Sequence, residues 1–216
     1  MKKTMMIAIV ALLFIGGGFV LLPHEALYAD EISPIKARSD YNDPWVKAFG
    51  QNDCNTNCKY NGYKNGGYFT GYYKNTERRY YVCAYYKRGY RPGWNMEGEG
   101  SCRVGTGSNA EKSNDKYCLC DPRGKMRISF TLIEDRDGRD YCNYVCQDEG
   151  LKPVETGKYT HSEHYGASYY VCAANAWGRG WRGGFNLHGE RKCIIGSGGR
   201  SVYNSDYKYC LCYKSY

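Results

Sequence analysis

One cysteine frame occurs twice in this chain. Cys54-x3-Cys58, Cys83, Cys102 and Cys118-x-Cys120 return in order as Cys142-x3-Cys146, Cys172, Cys193 and Cys210-x-Cys212. The gaps are 3, 24, 18, 15 and 1 residues in the first copy and 3, 25, 20, 16 and 1 in the second. All twelve cysteines are thereby used. An even set in a repeated frame predicts a disulfide scaffold built as two tandem units. The expected fold class is a small disulfide-rich α+β protein of two tandem repeats, each a short helix stapled to an antiparallel β-sheet.

The spacings constrain the pairing. Positions i and i+4 share a face only on a helix, so Cys-x3-Cys reads as helical. Asp53 and Asn61-Gly62 bracket the first helix, and Asp140 and Gly150 the second. In Cys-x-Cys both sulfurs share one face of a strand. A helix and strand facing each other join Cys54 to Cys118 and Cys58 to Cys120, then Cys142 to Cys210 and Cys146 to Cys212. Cys83–Cys102 and Cys172–Cys193 close hairpins. Six cysteines allow fifteen pairings per unit, so the alternatives stay open at this level. Each bridge closes a loop of tens of residues and contributes about 3 to 4 kcal/mol, which matters in units too small for a large apolar core.

The frame resembles that of the cysteine-stabilised αβ, or defensin-like, family. The resemblance rests on Cys54-x3-Cys58, Gly100-x-Cys102 and Cys118-x-Cys120. It implies a helix-and-hairpin fold and a secreted defence, toxin or ligand role. The chain departs from the family in having no cysteine ahead of Cys-x3-Cys, in the additional Cys83 and Cys172, and in Arg191 two residues before Cys193.

Residues 1–29 read as a signal peptide. Lys2 and Lys3 precede an apolar run from Met5 to Leu22, and Ala29 is a small residue suited to cleavage. An uncleaved anchor is the alternative. Export, periplasmic or extracellular, agrees with cysteines that pair. The expected divisions are a leader at 30–52, repeat 1 at 53–121, a linker and strand at 122–138, and repeat 2 at 139–216. Asp43-Pro44 reads as the start of a short helix through Trp45 and Phe49, and residues 126–133 alternate like a strand.

Comparison of the copies isolates a second shared feature. Arg88-Gly-Tyr90-Arg91-x-Gly-Trp94-Asn95 aligns without gaps to Arg179-Gly-Trp181-Arg182-x-Gly-Phe185-Asn186. Aromatic faces stack on sugar rings, guanidinium forks bind polar or anionic groups, and Asn offers a donor and an acceptor. Those ten residues are the expected ligand contacts, against the plain alternative that they are packed core under their arginines. Tyrosine, 24 residues in all, crowds the first copy at Tyr60, Tyr63, Tyr68, Tyr72 and Tyr73. Exposed, these suit glycan contact or adhesion; buried, they are packing.

Catalysis finds little support. No histidine is shared by the copies, and no phosphate loop, dinucleotide fingerprint or HExxH motif occurs. His161-Ser-Glu163-His164 is a weak metal pattern, so neither cofactor nor metal is expected. The net charge of +8 is spread without a long basic run. The expected function is binding of a polysaccharide or cell-envelope surface, with no intracellular nucleic-acid partner. A defensin-like action on anionic membranes and a Tyr/Gly-rich structural or adhesive role are the alternatives, and oligomeric state is open.

Overall fold

The computed structural model describes residues 44–106, 110–121, 128–138, 140–161, 164–178, 180–196 and 202–215. The expected signal peptide at 1–29 and most of the expected leader at 30–52 lie outside these residues. Strands β1 (Trp45–Ala48), β2 (Asn65–Gly66), β3 (Tyr68–Tyr73) and β4 (Thr76–Tyr86) belong to the first copy with helix α1 (Cys54–Tyr60). It continues through β5 (Tyr90–Met96), β6 (Cys102–Val104), β7 (Glu111–Ser113) and β8 (Lys116–Asp121). The second copy opens with β9 (Ile128–Asp135), helix α2 (Cys142–Asp148), β10 (Lys152–Pro153) and β11 (Glu155–Lys158). It closes with β12 (Ser168–Asn175), β13 (Trp181–Leu187), β14 (Cys193–Ile195), β15 (Tyr203–Ser205) and β16 (Lys208–Ser215).

The two copies have the same topology. The first sheet runs β1-β8-β4-β5-β6-β7, with β2 on β8 and β3 on β4. In the second, β16 takes the place of β8 and pairs with β9, β10 and β12; β13, β14 and β15 continue the order, and β11 lies on β12. Strands outweigh helices, so the molecule is a mostly β disulfide-rich fold with one short helix per repeat, rather than an even α+β mixture.

Two strands lie outside the cysteine frame. The short helix expected from Asp43-Pro44 does not form: Trp45–Ala48 is strand β1, paired antiparallel to β8 with Trp45 opposite Leu119. Residues Trp45 and Ala48 are buried and Lys47 is exposed, and an open edge of β8 offers more hydrogen bonds than an isolated helical turn could. Strand β9 is the same element in the second copy, with Leu132 opposite Leu211.

The disulfides are Cys54–Cys118, Cys58–Cys120, Cys83–Cys102, Cys142–Cys210, Cys146–Cys212 and Cys172–Cys193, the expected pairing among the fifteen open to each unit. All twelve sulfurs lie in residues with no exposed surface. Each helix is thus riveted at two points, one turn apart, to alternate residues of a central strand. Among the described residues no helix is long and apolar enough to cross a membrane.

Helix α1 begins as its sequence predicts: Asp53 caps it, accepting from the Thr56 amide at 2.8 Å. A second carboxylate oxygen of Asp53 accepts from the Gly98 amide at 2.7 Å. Burial pushes this carboxyl up, but those amides together hold it below the usual aspartate range. Asp140 does not play this part in α2. The cap position is Tyr141, with no side-chain bond, because Asp140 stands one residue too early. Its carbonyl accepts from the buried Lys208 amine instead, at 2.7 Å, while that amine also pairs with Asp135. Lys116, the equivalent lysine, donates to the Gly100 carbonyl, and Ala48 occupies the position of Asp135. Asp53 supplies the nearby negative charge in that copy, while burial lowers the Lys116 pKa.

Buried tyrosines set the alkaline limit of this fold. Burial pushes the hydroxyls of Tyr81, Tyr85, Tyr169 and Tyr170 above the ordinary phenol range. Their unfolded counterparts ionise near pH 10, so the stabilisation is complete below that pH and is lost as the pH rises past it. Lys116 opposes this weakly, since its neutral form is favoured in the fold. Urea unfolding should therefore show a stability plateau below pH 9.5 and a fall above pH 10, about 1.4 kcal/mol per pH unit for each tyrosine kept protonated. Stability rising between pH 10 and 11.5 contradicts this account.

Candidate functional site

The shared arginine-aromatic segments form strands β5 and β13, and these pack against each other. At their contact a Cβ on Gly183 would lie 2.8 Å from the Gly93 carbonyl oxygen, so the backbones approach closer than any side chain permits. Each repeat then lends its arginine to the other. The Arg91 guanidinium lies 4.3 Å over the ring of Phe185, and Arg182 lies 4.7 Å over Tyr80 and 5.1 Å over Trp94. Within each repeat the paired rings meet edge to face: Tyr80 with Trp94 at 5.3 Å and Tyr169 with Phe185 at 5.1 Å. Arg91 also donates to the Gly196 carbonyl at 3.1 Å.

This interlock takes up four of the ten residues expected to touch ligand, Arg91, Trp94, Arg182 and Phe185. Arg91, Trp94, Asn95, Arg182, Phe185 and Asn186 are all buried. The two asparagines bind their own repeat. Asn95 accepts from the Cys54 amide at 2.6 Å and donates to the carbonyls of Glu99 and Ser101. Asn186 does the same with Cys142, Glu190 and Lys192. Each thereby ties the helix start to the turn ahead of a hairpin cysteine. Tyr90 is half-buried, edge-on to Tyr86 and Tyr117. Arg88 is exposed with a positive φ of 53°. Trp181 is half-buried at the margin of the interface, and Arg179 lies outside the described residues, as does Glu163 of the histidine pattern.

The tyrosine-rich segment of the first copy is ordered into a hairpin rather than a loop. Strand β3 turns into β4 through Lys74 and Asn75, both at positive φ (48° and 62°), the two-residue turn whose twist suits a hairpin. Along β3, Phe69 and Gly71 are buried while Tyr68, Thr70 and Tyr72 are exposed. Arg79 stands opposite Thr70 and Glu77 opposite Tyr72. The Arg79 guanidinium lies 5.1 Å over the Tyr68 ring. Tyr72 is 57% exposed and Tyr68 41%, so two flat rings, a hydroxyl and a guanidinium share one open face. Backbone contact anchors the hairpin to the second repeat. Gly180, at φ 97°, brings its Cα so close that an added Cβ would stand 2.4 Å from the Tyr72 nitrogen.

Beside this face runs a cleft with walls from both repeats. One hollow, about 350 Å³, lies between Tyr68, Phe69 and Asp121 of the first and Phe130, Thr131 and Leu132 of the second. An adjoining hollow of about 260 Å³ shares Tyr68, Phe69 and Leu132 and adds Thr70, Trp181 and Tyr209. Rings at its end are braced: Trp181 meets Tyr209 edge to face at 4.6 Å, and the Tyr209 hydroxyl donates to Glu134 at 3.0 Å. Of the expected contacts the cleft takes up Trp181, and of the crowded tyrosines Tyr68. Phe69, Thr131, Leu132 and Tyr209 gave no functional signal in the sequence, because only the docking of one repeat on the other makes them neighbours.

Compared with protein-family models, with curated proteins and with solved structures, the chain matches none.

A double-mutant cycle on Arg91→Ala and Phe185→Ala should return a coupling of about 1 to 2 kcal/mol in urea unfolding, the range of a desolvated cation–π pair. Both single variants should be less stable than the parent protein. A coupling near zero means that the guanidinium merely covers the ring.

Proposed function

We propose that this protein is an exported, disulfide-stabilised tandem-repeat binding protein that recognises a surface polymer, a glycan or cell-envelope component. The observation that carries this reading is the open face of β3 and β4, where Tyr68, Thr70, Tyr72 and Arg79 stand together beside an aromatic-walled cleft. Exposed rings held on a rigid hairpin stack on sugar faces at little entropic cost, and a guanidinium and a hydroxyl beside them supply directional hydrogen bonds. The contact surface is therefore the tyrosine hairpin with Trp181, in place of the paired arginine-aromatic strands, which hold the repeats together. Six buried disulfides support export. The rings, hydroxyls and guanidinium of this face support a binding role.

A second reading draws on the helix riveted to its Cys-x-Cys strand together with the net charge of +8. It is a defensin-like protein acting on anionic membranes.

Both are separated by sedimenting the oxidised protein with insoluble polysaccharides, cell-wall sacculi and anionic liposomes at low and high salt. Salt-tolerant retention on a polysaccharide or on sacculi is expected, weakened about tenfold, or 1.4 kcal/mol, in Tyr68→Ala/Tyr72→Ala. Retention on liposomes alone, abolished by salt, selects the membrane reading. Circular dichroism of the variant confirms that the fold is retained.

A further inference from the structure

In the second repeat a charged pair replaces the open rings of the tyrosine hairpin. With Tyr81 matched to Tyr170, Glu155 stands where Tyr68 stands, and Lys158 where Thr70 stands. Those two side chains form an ion pair at 2.8 Å. Rings appear instead between helix α2 and the turn after β13. Tyr141, Tyr144 and His188 occupy the places of Asp53, Thr56 and Glu97. The Tyr141 ring lies 4.4 Å from that of Tyr144 and 5.7 Å from that of His188, centre to centre. Tyr144 is 44% exposed, His188 is exposed and Tyr141 is half-buried. A hydrogen bond of 3.1 Å between the Tyr170 hydroxyl and His188 Nδ1 holds the imidazole in place.

The rings stand where the first repeat has a structural device. Asp53 caps α1 by accepting from the amides of Thr56 and Gly98. In α2 the cap position is Tyr141, which makes no side-chain bond, although Gly189 keeps the place of Gly98. A cap exchanged for a surface ring lowers stability, and a local rule broken in this way marks a functional position. Both aromatic faces also grow from the same point of the fold. Tyr68 meets Tyr81 edge-on at 6.1 Å in the first repeat, and His188 meets the equivalent Tyr170 at 6.0 Å in the second. We infer that Tyr141, Tyr144 and His188 form a second contact face for sugar rings of the same polymer, at the place on the second repeat that the hairpin face holds on the first. Flat rings stack on sugar faces, while the phenol hydroxyls and the imidazole offer donors and acceptors beside them. This rests on the polymer-binding reading above and adds a site to it. Two such faces on one chain strengthen retention on any polymer that reaches both.

Sedimentation of the full oxidised protein with cellulose, chitin and cell-wall sacculi tests the assignment. The triple variant Tyr141→Asp/Tyr144→Thr/His188→Glu copies the first repeat, so its melting temperature should be unchanged or raised. Its affinity for whichever polymer retains the parent protein should nevertheless fall about tenfold. Tyr144→Ala/His188→Ala adds no charge and should weaken retention to a similar degree, and it provides the test if the triple variant misfolds. Combining it with Tyr68→Ala/Tyr72→Ala should weaken retention further than either pair alone. Parental retention in both folded variants overturns the inference and leaves the hairpin reading standing. Weakening in the triple variant with parental retention in the neutral one traces the loss to the added carboxylates and overturns it as well. If no polymer retains the parent protein, the polymer-binding reading and this second face fall together.

Discussion

Everything in this fold hangs on a helix fastened at two points to a strand. Cysteines one turn apart on a helix, and cysteines two apart on a strand, present their sulfurs along parallel lines. Two bonds between them therefore fix position and rotation together. The hairpin disulfide then joins the neighbouring strand, β4 or β12, to the start of β6 or β14. Around this frame the apolar core can be thin. Its largest fully buried side chains are Tyr80, Tyr81 and Tyr169, followed by Lys116 and Lys208. A lysine so placed is tolerable because its ammonium has a carbonyl or a carboxylate to meet.

Joining the repeats is a task the disulfides do not perform, since every one lies within its own copy. That task falls to the exchange of arginines across β5 and β13. Each guanidinium stacks on rings of the other repeat, and the glycines between them allow backbone contact. The arrangement explains why the arginine-aromatic stretch is the best-matched segment outside the cysteines. A pseudo-symmetric interface requires the same residues twice, once as donor of the arginine and once as its acceptor. Similarity between the copies here marks assembly. The copies differ at the tyrosine hairpin, whose open face of β3 and β4 belongs to the first repeat.

The asymmetry arises from small changes on a common frame. Asp53 and Asp135 supply the charge beside equivalent lysines from different elements. At the equivalent positions opposite Leu119 and Leu211 stand a buried Trp45 and an exposed Leu132, and Val154, packed in the cluster with Trp45, takes the place of Gly67.

Local spacing was enough to specify the repeats, the helices at Cys-x3-Cys and the strands at Cys-x-Cys, because periods of 3.6 and 2 translate directly into shared faces, while the choice among fifteen sulfur pairings per unit came from the structure. The cap at Asp53 was legible for the same reason, while Asp140 misled because a cap works at one register only. Strand β1 was misread as a helix since four residues carry too little pattern to outweigh a distant edge of β8 that the sequence does not display. Arg91, Trp94, Arg182 and Phe185 offered ring and guanidinium groups, with ligand contact and packed core both open, and whether such groups meet a ligand or each other depends on burial. Burial here is set by one repeat docking on the other, a contact between residues about ninety positions apart. Only the tertiary structure could therefore assign those residues to the interface, leave Tyr68 and Tyr72 in the open, and bring Leu132 and Trp181 to the cleft beside them.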